Sequence, residues 1–391
     1  MLVYLVVCAS VGTKVGRTGD PAAMIVPGAM FVHTALLPPN AYVFQGSGYD
    51  GQFNFYLAQD ALLTGKAAHR NRKTAHDIDH IAYRYQRILL PALGWLTSWG
   101  HPRVLEWTLP MINLVAVLAA GFLLARFLAL RGRSPWLSLV YMLSIGVVVG
   151  VTNDLADPLA ASLFVAGAIW WVEERPALAI AALTGCLLAR ELYLIPVASV
   201  IALELLLRRR RALAWLIPLV VFGAWQVYLR LALASPVVPS DAARPSPIPL
   251  LGAAQKIHAV LASDYIGPAN WELLFVALML AIPLYFVVRS LLVVDWARHA
   301  RALPTREGLL PVVALASIAT VPFLTKDLWN YIPSYARYGA PAAGMLVLLY
   351  AVSRDRALRA LMLALMVLTL TNPVVALLPT ANDASVQIPP K

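Results

Sequence analysis

Apolar runs separated by short polar turns fill the chain from residue 104 to residue 379, whereas residues 13–103 are polar and rich in Gly, Pro, Arg and His. Runs such as Leu109 to Leu130 and Trp271 to Val288 approach the length that crosses a bilayer core of roughly 30 Å. The pattern predicts spans over 104–130, 135–151, 157–172, 177–190, 192–207, 212–234, 271–290, 308–325, 337–353 and 357–379. With the apolar residues 1–12, MLVYLVVCASVG, this makes eleven transmembrane helices. Residues 1–12 lack the basic start and small-residue cleavage motif of a signal peptide and are read as a first span that is short, or clipped by the assigned start.

Two amphipathic pieces interrupt the polar stretch, Gly51 to Thr64 and Tyr85 to Trp99. The second, YQRILLPALGWLTSW, has 15 residues and imitates a span. If it crossed, the next helix would leave Arg126, Arg131 and Arg133 on the side opposite Arg208 to Arg211. Both pieces are therefore expected to lie flat on the outer membrane surface. The same reasoning divides 177–207. As one helix its 31 residues would rise about 46 Å and carry the Arg208 cluster outside, whereas two shorter helices rise roughly 21 Å each. Their junction, Arg190-Glu191, then lies at membrane depth, where ionisable groups pair or line a wet cavity.

Composition excludes a soluble domain: of 391 residues 60% are hydrophobic and 13% charged, with a mean hydropathy of +0.71. The expected fold is an all-α polytopic membrane protein, a single domain over 1–391. Its first outer loop, 13–103, carries two juxtamembrane helices, and 235–270 forms a Pro-rich outer loop. The net charge of +11 matters through its placement. An N-terminus inside puts Arg126/Arg131/Arg133, Arg175, Arg208 to Arg211, Arg298/Arg301/Arg306 and Arg354/Arg356/Arg359 on inner turns, as the positive-inside rule asks. Cys8 and Cys186 sit in apolar runs and define neither a disulfide nor a thiolate metal site. There is no internal repeat, Gly-rich phosphate loop or Ser-His-Asp arrangement, and nothing argues for nucleic acid.

Candidate chemistry gathers on the outer side. Asp50 stands in GSGYDGQFNFYLAQD between glycines and aromatics, at the start of a helix-like run. Capping that helix is one role for it; acting on a substrate at the membrane rim is the other. Cations reach the same level from three segments: Arg84 and Arg87 in YRYQR with Tyr83, Arg190 beside Glu191, and Arg337 beside Tyr338. Guanidinium forks suit phosphate oxygens, and interfacial tyrosines offer a hydroxyl beside an apolar ring, although both residues also serve as plain membrane anchors. In VTNDLADPLA, Asp154 and Asp157 are explained as first-turn acids and caps of the following helix; Asp154 is also a candidate second acid or acceptor-binding group. HRNRKTAHDIDH contains His69, His76, Asp77, Asp79 and His80, but reads as a solvated loop without the helical geometry a metal site needs.

In order along the chain, GYDGQFNFYLAQD, DIDHIAYRYQRILLPALGWLTSWG, NDLADPLAASL, LLARELYLIPV and ARYGAPAAGMLVLLY resemble a bacterial cell-surface glycopolymer family of the GT-C superfamily, membrane glycosyltransferases that use polyprenyl-phosphate sugars. The resemblance is most specific in the first two stretches. It implies that Asp50 is the catalytic acid of the first outer loop, with Arg84, Arg87, Arg190, Glu191 and Arg337 holding the lipid phosphate or shaping the pocket. Asp157 and the ARE run depart from the family pattern. The implied activity is sugar transfer, with inversion, from a polyprenyl-(di)phosphate donor to a hydroxyl of a glycan, lipid or protein acceptor. The active site would face the periplasm or outside of a bacterial cytoplasmic (inner) membrane. Asp50 would be the general base and Glu191 would position Arg190. No cofactor is defined; a divalent cation is left open. Two other classes fit the same residues, a transporter or flippase of lipid-linked sugars and a non-catalytic membrane subunit of a polysaccharide synthase.

Overall fold

The computed structural model describes residues 12, 15–16, 19–32, 35–38, 41–61, 80–207, 212–233, 246–262, 305–329, 337–353, 356–371 and 385–387. The expected span 271–290, the span 1–12 apart from residue 12, and the His-rich stretch apart from His80 lie outside the described residues. So do parts of the loops 235–270 and 326–336.

Helices dominate. Among the described residues three short ones, α1 (Asp50–Leu57), α2 (Ile81–Tyr85) and α3 (Leu89–Ser98), precede the long α4 (Pro102–Ala129). Then come α5 (Leu139–Met142), α6 (Ile145–Thr152), α7 (Asp157–Val172), α8 (Pro176–Ala189), α9 (Leu194–Leu207) and α10 (Ile217–Leu233). The series ends with α11 (Leu251–Leu261), α12 (Arg306–Ile318), α13 (Lys326–Trp329), α14 (Ala340–Ser353) and α15 (Arg356–Thr371). A strand β1 (Tyr42–Phe44) pairs antiparallel with β2 (Ser385–Gln387).

The helical bundle of a membrane protein is there, but not the full count of spans. Among the described residues three helical stretches are long and apolar enough to cross a membrane, Pro102–Ala129, Leu213–Leu233 and Arg306–Phe323. A fourth appears if Pro135–Met142 and Ile145–Thr152, bent by 56° at their break, act as one span. Eleven is not reached, because several predicted spans are short helices. The 16 residues of α7 and the 14 each of α8, α9 and α14 rise only about 21–24 Å, less than a core of roughly 30 Å.

The core forms around α7, nearly all of whose residues are buried, packed against α4, α8 and α14. Lipid tails are as apolar as leucine, so helices in a membrane associate through close packing, which favours small residues at the contacts. Here Gly167 lets the Leu183 side chain of α8 approach α7, and Gly344 of α14 faces Val165. On α4, Val104, Trp107, Met111, Val115, Leu118 and Phe122 are exposed at steps of three and four residues, which makes one apolar outward face.

Charges separate to the two ends of the bundle. At one end Arg126 pairs with Glu173 (3.2 Å), Arg131 with Glu307 (2.5 Å), and Arg306 with Glu204 (2.6 Å) and Glu174 (3.3 Å). Glu204 is wholly buried and also accepts from the Trp171 indole at 2.8 Å. Asp50 and its partners lie at the other end, where α1 and α7 begin and α8 ends.

Candidate active site

The local sequence fixes where Asp50 stands. Gly46 (φ 87°) and Gly48 (φ 65°) adopt the left-handed conformation, which costs glycine little. A Cβ on Gly51 would overlap the Asn153 carbonyl oxygen, so α1 starts hard against the turn that leads into α7. Gln52, fully buried, ties the preceding loop by accepting from Gly28 N (3.0 Å) and donating to Ser47 O (2.7 Å). Asn54 donates to the Asp154 carbonyl at 2.7 Å. Tyr49 takes the N-cap position and makes no capping bond, which leaves Asp50 in the first helical turn. A negative charge there suits the helix dipole, but the carboxylate is spent elsewhere.

Its two oxygens meet two arginines from distant segments. Arg84 Nη1 donates to Asp50 Oδ1 at 2.7 Å, and Arg337 Nη1 donates to Oδ2 at 2.9 Å, with Arg87 Nη1 3.8 Å from Oδ2. The Arg84 guanidinium lies over the Phe53 ring at 4.1 Å, three residues beyond Asp50 and so on the same helix face. Burial alone would raise the Asp50 carboxyl; the charges of Arg84, Arg337, Arg87 and Arg190 overcome it and hold the group well below the usual carboxylate range.

Arg87 is gripped from behind. Its Nε and Nη2 donate to the two oxygens of Glu191 at 2.9 and 2.6 Å, Nη2 also donates to the Tyr83 hydroxyl, and its guanidinium covers the Tyr83 ring at 4.5 Å. Such a two-point clamp is among the stronger charged contacts available. Burial pushes the Glu191 carboxyl up, but Arg87 and Arg190 together with the Arg87 hydrogen bonds bring it down to about 2. The expected pairing is thereby corrected: Glu191 positions Arg87, and the ion pair of Arg190 is with Asp157, at 3.3 Å. The helix break expected at this point is present. α8 ends at Ala189, Arg190 is extended, and a 3-10 turn, Glu191–Tyr193, leads into α9.

The space among these groups is narrow. Asp50, Phe53, Asn54, Arg84, Arg87, Ala156, Asp157 and Arg190 border a crevice with about 10 Å³ of free volume, room for roughly one water molecule. A second crevice, of about 20 Å³, is bordered by Asp157, Tyr193, Ser317, Thr320, Arg337 and Tyr338 among others. Asp157 thus belongs to both, and its Oδ2 is buried without a hydrogen-bond partner. Sequence reasoning took it for a helix-start acid, which it also is; the Asp-Pro start of α7 accounts for the residue so well that no signal of its second role remained. Asp154 is fully buried at φ 50° and reaches α1 through its backbone carbonyl, but borders neither crevice. Tyr338 stands with Arg337 at the second crevice. Among the described residues no three of His, Cys, Asp or Glu come together as a metal-ligand set.

Four guanidiniums set against three carboxylates, mostly dry, can neutralise a phosphate, and an ionised carboxylate beside them can accept a proton from an alcohol. Compared with models of known protein families, with curated proteins and with solved structures, the chain matches none.

Proposed function

We propose that this chain is a membrane glycosyltransferase that moves a sugar from a polyprenyl-(di)phosphate donor to an acceptor hydroxyl at the outer face of the cytoplasmic membrane. The observation that carries the reading is the Asp50 carboxylate, kept ionised between Arg84 and Arg337 at one end of an apolar helical bundle. Arg126, Arg131, Arg175 and Arg306 gather at the opposite end. Four arginines also stand at the Asp50 end, buried against its carboxylates; the outward-facing Asp50 rests on the basic inner turns read in the sequence, Arg208 to Arg211 among them.

In the reaction the acceptor oxygen attacks the anomeric carbon and its proton passes to Asp50. The bond from that carbon to the phosphate oxygen breaks, and its electron pair stays with the phosphate. Attack from the face opposite the phosphate inverts the configuration. Asp50 accepts the proton as the attacking oxygen, acidified by bond formation, loses it. Arg84, Arg190 and Arg337 then face the charge growing on the leaving phosphate, while Arg87, clamped by Glu191, holds the wall of the crevice.

The test is label transfer by the purified protein in lipid nanodiscs from polyprenyl-phosphate sugars to candidate acceptors. Transfer by wild type and none by Asp50→Asn upholds the proposal; equal transfer by the two removes Asp50 from the mechanism.

A further inference from the structure

Asp50 does not stand beside an open phosphate site; it fills one. Each of its two oxygens takes a single nitrogen from an arginine, Arg84 on one and Arg337 on the other. The rest of the Arg337 fork is unspent: its Nε is buried without a hydrogen-bond partner, on a side chain only 8% exposed. Leaving such a donor unpaired is costly, and an anion with more oxygens than a carboxylate relieves it. The crevice next to Asp50 has room for about a water, too little for a phosphate while the carboxylate stays in place. Of the neighbouring cations, Arg87 is held at two points by Glu191 and Arg190 faces Asp157.

The geometry points to an anion exchange: the donor's phosphate displaces the Asp50 carboxylate from Arg84 and Arg337, and the carboxylate, released by rotation of its own side chain, becomes available to the acceptor hydroxyl. The resting protein is therefore self-blocked, and donor binds before acceptor. Gly51 packs against the Asn153 carbonyl, so the backbone stays put and the side chain does the moving. No bond is made or broken in this step. The source of the phosphate, a lipid-linked donor, rests on the glycosyltransferase reading; the exchange itself does not.

Two measurements test it. In the first, full-length protein in nanodiscs is titrated with farnesyl phosphate, inorganic phosphate and, as a phosphate-free control, farnesol. Asp50→Asn removes the competing anion and keeps the shape, so it should bind farnesyl phosphate about tenfold tighter than wild type, while farnesol is unaffected. An equal gain for inorganic phosphate assigns recognition to the phosphate alone; a gain for farnesyl phosphate only adds the prenyl chain, and both uphold the exchange. Unchanged or weaker binding by the folded variant overturns it.

The second measurement needs no variant and covers the case in which Asp50→Asn does not fold. Infrared difference spectra of wild-type protein carrying side-chain-labelled aspartate should show a carboxylate stretch shifting as farnesyl phosphate binds. Binding with no carboxylate band displaced overturns the exchange. Exchange without sugar transfer would sink the glycosyltransferase reading and leave this inference intact; transfer without exchange would do the reverse.

Discussion

Arg337 Nη1 lies 2.9 Å from Asp50 Oδ2, although 287 residues separate the two in the chain. That contact joins the start of α1 to the segment that leads into α14, and it puts a guanidinium from the far end of the sequence onto the proposed base. Truncating Arg337 to Ala removes a charged hydrogen bond of the kind that contributes about 1.5–3 kcal/mol. Donor use, read as kcat/KM for the lipid-linked sugar, should fall about tenfold to a hundredfold, mostly through KM. A drop confined to kcat at unchanged donor KM would place Arg337 outside phosphate recognition.

Asp50→Asn keeps the size of the side chain and removes its capacity to take a proton. A positioned base contributes typically about 10²–10⁴-fold, so kcat should fall by that range. The variant is expected to elute as wild type does on size exclusion. Activity within a few-fold of wild type in folded protein would mean that another group accepts the proton, and Asp157, which borders the same crevice, would be the next to substitute.

Glu191 gives a pH signature. Its carboxyl is held at about 2 against an ordinary value of 4.5, so as pH falls the unfolded chain takes up the proton first. The stabilisation from this group is complete above pH about 4.5 and is lost progressively down to about pH 2. At one pKa unit per 1.4 kcal/mol, the amount at stake is on the order of 3 kcal/mol. The melting midpoint of wild type in detergent should drop across that window. Glu191→Gln should start lower at neutral pH and lose this part of the slope; a variant curve parallel to wild type would show that the Arg87 clamp contributes no net stability.

The charged network at the other end of the bundle supplies a contrasting case. Glu204 is fully buried and accepts from Arg306 and Trp171. Replacing it with Gln strips the buried arginine of its main counter-charge, a loss of about 3–5 kcal/mol in buried pairs. Glu204→Gln should melt well below wild type yet bind farnesyl phosphate with unchanged affinity. Weakened phosphate binding in protein that is still folded would couple the two ends.

What the sequence makes legible follows from the range over which each interaction acts. The apolar runs predict helices because periodicity and length are local properties, and the break at Arg190 follows from counting residues against bilayer thickness. Asp50 stands out for a similar reason: an acid among glycines and aromatics is unusual at a glance. That Arg84, Arg87, Arg190 and Arg337 gather near it was expected from their shared level; the first two and Arg337 lie 2.7–3.8 Å from its oxygens, and Arg190 borders the same crevice. The pairing within the cluster was not legible. Arg190 and Glu191 are neighbours in sequence, yet the extended backbone at Arg190 and the 3-10 turn after it send the two side chains to different partners, Asp157 and Arg87. Phe53 left a fainter trace, since three residues from Asp50 on a helix is the same face. The span count overshoots because it takes 177–190 and 192–207 as one span each, although a rise of roughly 21 Å falls short of the core, as the 14-residue α8 and α9 do.

The start of α1 carries the last prediction. A Cβ at position 51 would overlap the carbonyl oxygen of Asn153 and come within 2.9 Å of the carbonyl oxygen of Ile25. Both are backbone atoms, so no side chain can swing away and the helix start itself must shift. Overpacking of this kind costs typically about 1–3 kcal/mol, and the displaced residue next door is Asp50, whose bonds to Arg84 and Arg337 have little slack at 2.7 and 2.9 Å. Gly51→Ala should therefore lower both the melting midpoint and the transfer rate. Gly223, in α10, is the control, since a Cβ there meets nothing within 4 Å and alanine in a helix interior is favoured over glycine by roughly 0.5–1 kcal/mol. Gly223→Ala should melt at or slightly above wild type with full activity. If Gly51→Ala behaved the same way, α1 would not be pinned against the turn before α7, and the placement of Asp50 would need another cause.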